Sequence, residues 1–241
     1  MGLLRAVDLK LEDNMDKNLS ICLVGDCAGY NLSETDPLKN FRDIIGRSDI
    51  FVFNLEGPVT SKRRRFQFKG FPPNPFAQLT VRALLGRHPC VYSPPSFAAS
   101  MNVCRFNVAT LATNHVLDWG RKGMVETKKH LAENNMFSIG AGLNVTDACR
   151  PLIIGINGMR IGFLNYCVVG RLRILDLEIF SAGFHPIRFL SGYGPEGAAS
   201  ITKCNMEKQI ASLSKNTDFI IVSLHVGRVF EEVPNEYHLN V

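Results

Sequence analysis

Short apolar runs alternate along this chain with stretches of helical periodicity. Four runs have strand length and turn residues beside them: residues 20–24, 49–54, 106–112 and 218–224. Two more runs, residues 151–156 and 160–168, flank the turn dipeptide Asn157-Gly158 and predict a β-hairpin. Helical spacing of apolar residues predicts helices over residues 37–47, 96–104, 120–134 and 197–214. Strands interleaved with helices in this way favour an α/β fold.

The stretches between these elements predict loops and turns. Residues 58–75 are rich in proline, glycine and basic residues, which is typical of a loop. Gly120 and Gly123 predict that a loop continues before the third helix begins, Gly140-Ala141-Gly142 predicts a turn, and residues 169–194 are irregular. Asp36 is the expected N-cap of the first helix, with Pro37 at its first position. We expect a polar N-terminal extension over residues 1–19 and one domain over residues 20–241.

Composition places the chain among globular proteins and limits the kinds of partner that we expect. Hydrophobic residues make up 46% and charged residues 20% of the 241 residues, which are ordinary globular values. The net charge of +5 suits an anionic substrate. Basic residues are concentrated at Lys62-Arg63-Arg64-Arg65 alone, whereas nucleic-acid-binding proteins spread such charge over a whole face. We therefore expect no nucleic-acid partner.

The N-terminus and the cysteines predict a cytoplasmic protein. Residues 1–20 contain no apolar leader segment, and no run of about 18 apolar residues predicts a membrane segment. The seven cysteines form no C-x-x-C motif and are odd in number. They are expected to be reduced thiols, as in a cytosol-like compartment.

Four of the predicted strands end in polar clusters. These clusters are Gly25-Asp26, Asn54-Leu55-Glu56, Asn114-His115 and His225. Strand ends at one edge of a sheet are where α/β folds place their sites. The sequence therefore predicts that these side chains converge.

The chemistry of these side chains is that of a divalent-metal site. Carboxylates, amide carbonyls and imidazoles bind such cations, so Asp26, Asn54, Glu56, Asn114 and His225 are candidate ligands. Asn54 and Glu56 are two residues apart on an extended chain, so both can face the same side. A pair of metals needs a bridging carboxylate, for which either Glu56 or Asp26 is a candidate.

The catalytic candidates are His115 and Asp118. His115 follows the candidate ligand Asn114 and could serve as a general acid toward a leaving-group oxygen. Asp118 could hold the other ring nitrogen of His115 and fix its tautomer.

Each candidate also has a simpler interpretation. His115 could be a satisfied buried histidine, Asp26 a turn residue, and His225 the plain end of a strand. Asn54 and Glu56 could be a water-facing pair on an edge strand.

Three other features are ambiguous in the same way. The segment Gly140-Ala141-Gly142 could cradle a phosphate or form only a turn. The basic residues 62–65 could bind a polyanion or form a solvated loop. Cys27 could be a soft ligand or a small buried filler, and the filler is the commoner role for such a cysteine.

Taken in order, these motifs resemble the bacterial capsule-synthesis CapA family, also called poly-γ-glutamate synthesis proteins, within the calcineurin-like metallophosphatases. The matching pieces are Val24-Gly25-Asp26, Asn54-Leu55-Glu56-Gly57-Pro58-Val59-Thr60, Ala112-Thr113-Asn114-His115-Val116-Leu117-Asp118-Trp119-Gly120, Gly140-Ala141-Gly142 with Ala148-Cys149-Arg150-Pro151, and Ser223-Leu224-His225-Val226-Gly227. The resemblance covers roughly residues 20 to 235, and its specificity lies in the ordered set.

The resemblance implies a layered αββα sandwich of metallophosphatase type with a metal site at the strand ends. It assigns Asp26, Glu56, Asn114 and His225 to the metal and His115 to acid catalysis. The implied cofactors are divalent ions: manganese, iron, zinc or magnesium. The implied partners are an anionic polymer or a phosphoester substrate, together with other polymer-synthesis proteins.

The sequence departs from the family pattern at three places. Thr113 stands where asparagine is usual, and Val226 where tryptophan is usual. The family's last ligand motif, Gly-His-His-Pro-His, does not follow His225, and His238 is the only later histidine. We therefore expect the last C-terminal elements of the fold to be missing, and it stays open whether one metal site or two are intact.

Two functions follow from these observations. The first is a metal-dependent hydrolase of phosphatase type within capsule or poly-γ-glutamate synthesis. The alternative is a non-catalytic scaffold or anionic-polymer-binding module that retains the fold without the second metal site.

Overall fold

Two four-stranded sheets form the centre of the structure. The computed structural model describes residues 5–8, 18–29, 38–61, 91–167, 170–174, 177–181, 197–199 and 204–226. The first sheet is parallel throughout and has the order β2-β3-β4-β5. Its strands are β2 (Ile21–Cys27), β3 (Ile50–Leu55), β4 (Phe106–Thr110) and β5 (Phe137–Ile139).

The second sheet is mixed and has the order β1-β7-β8-β12. Its strands are β1 (Arg5–Asp8), β7 (Leu152–Ile156), β8 (Met159–Cys167) and β12 (Phe219–His225). The predicted hairpin joins β7 to β8, and Asn157 and Gly158 both have positive φ, which a tight two-residue hairpin turn requires. Strand β12 runs parallel to β8, so their carboxyl ends lie at the same edge.

Helices and two small sheets complete the described structure. The helices are α1 (Arg42–Gly46), α2 (Pro95–Ser100), α3 (Gly120–Glu133), α4 (Val145–Ala148) and α5 (Met206–Leu213). Strands β6 (Ala141–Gly142) and β11 (Gly197–Ala198) form one antiparallel pair, and β9 (Gly170–Ile174) and β10 (Leu177–Ser181) form another. None of the helices in the described part of the chain has the length and apolar character to span a bilayer.

Three apolar layers show how these elements pack. Side chains of both sheets meet in the first layer, where Val52 and Val108 pack with Ile154 and Phe163. On the other face of the first sheet, a second layer includes Phe53 and Met124 of α3. A third layer lies outside the second sheet, where Leu164 and Tyr166 pack with Leu213 of α5. This is the predicted αββα sandwich, so the expected fold class is confirmed.

Several predicted elements differ from the structure. The third helix begins at Gly120 itself, directly after the turn over residues 114–119. Gly123 lies in its first turn, where a Cβ would lie 2.4 Å from Trp119 Cβ. The predicted helix 197–214 is wrong in its first part, where Gly197–Ala198 pairs with β6. The predicted helix 37–47 is shorter at its start, and Asp36 and Pro37 lie outside the described residues.

The N-terminal segment and one pair of cysteines also differ from the sequence-based expectations. Strand β1 lies inside the segment predicted as an N-terminal extension, where it pairs with β7. Cys149 and Cys204 form a disulfide, which corrects the expectation of reduced thiols for this pair. Their positions after α4 and before α5 bring them together across 55 residues, a proximity that sequence spacing cannot reveal. The thiols of Cys22, Cys27, Cys104 and Cys167 are free, and Cys90 lies outside the described residues.

Candidate metal centre

The carboxyl ends of strands from both sheets meet at one edge of the sandwich. Asp26 belongs to β2, and Asn54 and Glu56 lie at the end of β3. Asn114 belongs to the turn that follows β4, and His225 ends β12 of the second sheet. The structure therefore brings together all five side chains that the sequence predicts as metal ligands.

Three of these side chains have the spacing of a metal-binding group. One ligand atom each from Asp26, Glu56 and His225 lies within 4.8 Å of the others. The His225 Nδ1 atom is 3.7 Å from Asp26 Oδ1, and its Nε2 atom is 3.9 Å from Glu56 Oε2. Asn114 Oδ1 lies 2.9 Å from the same Nε2 atom. Carboxylate, imidazole and amide oxygen together are a donor set suited to divalent cations, so these residues fit the implied metal.

Asn54 occupies a different position in this group. Its Nδ2 atom donates to Asp26 Oδ1 at 2.6 Å and to Glu56 Oε2 at 3.2 Å, and it lies 3.3 Å from His225 Nδ1. Its carbonyl oxygen faces away, where it accepts from Thr110 Oγ1 at 3.1 Å. The Asn54 amide nitrogen therefore lies between the two carboxylates and acts there as a hydrogen-bond donor. Asn54 can serve as a ligand through Oδ1 only if its amide is reversed, and a threonine hydroxyl can act as donor or acceptor in either state.

His115 and Asp118 form a pair beside the candidate ligands. His115 Nδ1 lies 2.8 Å from Asp118 Oδ2, and the same carboxylate oxygen accepts from the Val91 backbone N–H at 2.8 Å. The other ring nitrogen, Nε2, is 3.7 Å from Glu56 Oε1. The imidazole is therefore held on one side and presents Nε2 toward the metal-ligand group.

The electrostatics of the group reflect burial and close opposite charges. The nearby His225 lowers the pKa of Asp26, whose side chain is 61% exposed, while burial raises the pKa of Glu56. Burial alone would lower the pKa of both histidines. For His115, the hydrogen bond to Asp118 and the negative charges of Asp118, Glu56 and Asp26 together outweigh burial. For His225, the carboxylates of Asp26 and Glu56 together outweigh it, so both pKa values are raised.

The simpler interpretations can be compared with the structure. Strand β3 lies between β2 and β4, and Asn54 is only 8% exposed, so Asn54 and Glu56 are not an edge-strand pair facing water. Gly140 has φ of +89°, and a Cβ there would lie 2.0 Å from Asn165 Oδ1, so Gly140 forms a tight bend, whereas Ala141 and Gly142 of the predicted turn form strand β6. Burial raises the pKa of the Cys27 thiol to about 11, which keeps it protonated and favours a filler role. The basic residues 62–65 and His238 lie outside the described residues.

Sequence reasoning missed the residues that support the candidate ligands. Thr110 holds the Asn54 carbonyl, and Asn165 of β8 accepts from the Ala112 backbone N–H at 2.7 Å and donates to Ser223. The available signal was a single amide inside the apolar run of β8, because a buried polar group needs hydrogen-bond partners. The sequence could not show which partners these would be.

The protein is therefore an αββα sandwich in which carboxylates, amides and histidines lie together at the strand ends. The family described as bacterial capsule synthesis protein PGA_cap matches residues 8–241, and the chain belongs to that family. This confirms the family resemblance that the ordered sequence motifs indicated.

The descriptions of two individual relatives agree with this family. The chain is 27% identical over 134 residues to the capsule biosynthesis protein CapA of Bacillus anthracis, a match covering 54% of this chain and 29% of that protein. It is 25% identical over 132 residues to the PGA biosynthesis protein CapA of Bacillus subtilis, covering 54% of this chain and 31% of that protein. The matches thus span about a third of the length of these relatives or slightly less.

One solved structure is also similar in part. It is a Staphylococcus aureus protein described as a 5′-nucleotidase in complex with alpha-ketoglutarate, with a TM-score of 0.45 and 13% sequence identity. The similarity covers 88% of this chain and 38% of the other chain.

Proposed function

We propose that Asp26, Glu56, Asn114 and His225 bind a divalent metal ion, and that the site hydrolyses a phosphoester bond. The observation that carries the proposal is the close group of Asp26, Glu56 and His225, whose ligand atoms lie within 4.8 Å of one another. Asn114 adds an amide oxygen to this group, and Asn54 adds a second one if its amide is reversed. Manganese, iron, zinc and magnesium all accept ligands of these types.

The bound metal ion and the protein's own residues would have different roles in the hydrolysis. A divalent ion at such a site supplies Lewis acidity toward a phosphoryl oxygen and water. His115, oriented by Asp118, would donate a proton from Nε2 to the leaving-group oxygen. Its raised pKa keeps a larger fraction of the ring protonated near neutral pH than an ordinary histidine would have.

The biological context proposed for this chemistry is the synthesis of an anionic polymer. The relatives named above are capsule or PGA biosynthesis proteins, and the chain shares their family. Its net charge of +5 suits an anionic polymer or a phosphoester as substrate. Other polymer-synthesis proteins are its proposed partners.

The test begins with metal binding by the purified, metal-stripped protein. We expect Mn²⁺ titration calorimetry to show saturable binding, and Glu56→Gln to weaken it at least tenfold because a ligand charge is lost. His115→Ala should keep Mn²⁺ affinity within about twofold but reduce aryl-phosphate turnover by about 10²-fold or more. His130→Ala is the matched control, since His130 lies on α3 between Glu126 and Glu133, away from the site.

One outcome would contradict the metal site, and another would contradict the role of His115. A chain that binds none of the four metals after reconstitution has no such site. A chain that binds metal but turns over aryl phosphate equally well with and without His115 does not use this residue as the acid.

A non-catalytic binding module is the second candidate, and the position of Asn54 favours it. The amide already donates to the carboxylates of Asp26 and Glu56, so both are hydrogen-bonded without a cation. On this proposal the metal-free protein binds poly-γ-glutamate as tightly as the metal-loaded protein does. If binding requires Mn²⁺, or is absent, the module is excluded.

The cytoplasmic location stays a prediction. One of its two grounds was the expectation of reduced thiols, and this does not hold for Cys149 and Cys204. A disulfide is typical of an oxidising compartment, so this pair favours a site of action outside the cytosol.

A further inference from the structure

We infer that Asn165 is a positioning residue that sets the distance between the two halves of the candidate metal centre. The two halves come from different sheets: Asn114 and His115 follow β4 of the first sheet, and His225 ends β12 of the second. The inference rests on the proposed function for its significance, but the contacts themselves are independent of any metal.

The side chain of Asn165 lies between the two sheets, just below the site. In β8 its neighbours Leu164 and Tyr166 pack on the outer face of the second sheet, so Asn165 points inward like Phe163. It is 3% exposed. A primary amide in such a place needs partners for both its oxygen and its nitrogen.

Those partners lie on the two segments that carry the site. Asn165 Oδ1 accepts from the Ala112 N–H at 2.7 Å, and Nδ2 donates to the backbone oxygen and the hydroxyl of Ser223, both at 3.2 Å. Ala112 stands two residues before Asn114, and Ser223 stands two residues before His225. One amide therefore ties together the two segments whose ends meet where Asn114 Oδ1 lies 2.9 Å from His225 Nε2.

The atoms around Asn165 leave space for its amide but not for a side chain at position 140. Gly140 has φ of +89°, and a Cβ there would lie 2.0 Å from Asn165 Oδ1 and 2.8 Å from the Ala112 nitrogen. A side chain at position 140 would displace the bond between Asn165 and Ala112. The glycine that the sequence marked as a turn thus also makes space for the tie between the sheets.

The chain contains a matched control for a buried asparagine. Asn107 of β4 is fully buried, its Oδ1 accepts from the N–H groups of Val103 and Cys104, and its Nδ2 donates to Asn102 and to the Cys104 carbonyl. It makes the same kinds of hydrogen bond as Asn165, but at the opposite end of the strands. Loss of Asn107 should therefore cost stability without moving the site.

The experiment compares Asn165→Ala with Asn107→Ala in two measurements. The first is the ring ¹H–¹⁵N correlation spectrum of the metal-free protein, which reports the tautomers and hydrogen bonds of the histidines. We expect Asn165→Ala to shift the resonances of His115 and His225, and Asn107→Ala to leave them as in the unaltered protein. The second is Mn²⁺ affinity, which should fall about 10- to 100-fold for Asn165→Ala and less than twofold for Asn107→Ala.

The outcomes separate this inference from the proposed function. If the unaltered protein binds no Mn²⁺, the proposed function fails, while the histidine spectrum still decides the role of Asn165. If the spectrum of Asn165→Ala matches that of Asn107→Ala, Asn165 is an ordinary structural residue and the inference is wrong. Should an alanine variant not fold, Asn165→Asp and Asn107→Asp give the same comparison, because each keeps the acceptor and removes the donor.

Discussion

At the scale of single residues, Asp118 shows how one carboxylate can organise a catalytic candidate. Its Oδ2 atom accepts from the Val91 N–H, which fixes the carboxylate, and lies 2.8 Å from His115 Nδ1. A proton on Nδ1 directed at this oxygen leaves Nε2 as the ring nitrogen that faces Glu56. The position of one side chain therefore determines which nitrogen of His115 is available for chemistry.

Asp118→Asn tests this orientation with a change of almost no volume. We expect aryl-phosphate turnover to fall about 10²- to 10⁴-fold, because the neutral amide no longer favours one tautomer or supports the imidazolium. Mn²⁺ affinity should stay within about twofold. The control is Asp49→Asn, since Asp49 accepts from Ser20 at the start of β3, far from the site. Equal turnover by the two variants would contradict the role assigned to Asp118.

The site residues differ in how far the sequence could predict them. Asp26, Asn54, Glu56, Asn114 and His225 follow apolar runs, so the rule for parallel strand ends brings them together without any structure. Asn165 lies in the middle of a strand, and its importance depends on contacts with segments 53 and 58 residues away. Such contacts depend on how the two sheets pack, which local patterns do not contain.

At the scale of elements, the strands that carry the site were predicted more closely than the helices. The strands that carry the site are short and largely apolar, β3 and β4 are buried throughout, and the strand bounds differ from the predicted ones by at most three residues. Helix starts were less predictable because glycine has two uses: Gly120 begins a helix, whereas Gly197 belongs to a strand. Asn205, with φ of +52°, caps α5 by accepting from Lys208, and this cap is where the last described helix begins.

The short helix α4 supplies a pH-dependent prediction away from the metal centre. Burial alone would raise the pKa of Asp147, but the Leu143 N–H and the Lys128 ammonium outweigh it and hold the pKa below 3.8. A carboxyl group with a lowered pKa stabilises the fold above its unfolded pKa, and this contribution is lost as pH falls through the folded pKa. Asp147→Asn should therefore cost about 1 kcal/mol at pH 7 and progressively less below about pH 4.

Urea unfolding of both proteins between pH 7 and pH 2.5 measures this difference directly. Because other carboxyl groups titrate in both proteins, the difference between them isolates Asp147. A difference that stays constant down to pH 2.5 would show that its charge does not contribute to stability.

At the scale of the whole molecule, the candidate metal centre depends on two sheets that fold from interleaved parts of the chain. Asp26, Glu56 and Asn114 lie at the ends of strands of the first sheet, while His225 ends β12, the last described strand. The sequence predicted the strands, but not that Val52 and Val108 would pack with Ile154 and Phe163 between the sheets. The site is complete only when this inner layer has formed, so binding of metal should report on folding of the whole sandwich.

The disulfide between Cys149 and Cys204 provides a stability test for the second sheet and the helices that pack on it. Cys149 and Cys204, which pack with the apolar layer outside the second sheet, link the end of α4 to the segment before α5 and close a loop across a sequence separation of 55 residues. Closing such a loop restricts the unfolded chain, so replacing both cysteines with alanine should lower the free energy of unfolding by about 2–4 kcal/mol. Urea unfolding with and without dithiothreitol measures this effect.

The double variant also serves as the control for the reductant. Dithiothreitol should destabilise the unaltered protein by a similar amount and leave the double variant unchanged. The histidine ring resonances of the double variant should match those of the unaltered protein at a urea concentration where both are folded, because the disulfide packs on the outer face of the second sheet and the site lies at the carboxyl ends of the strands. An unaltered protein whose stability does not respond to dithiothreitol carries no such disulfide, and the preference for an oxidising compartment would be lost with it.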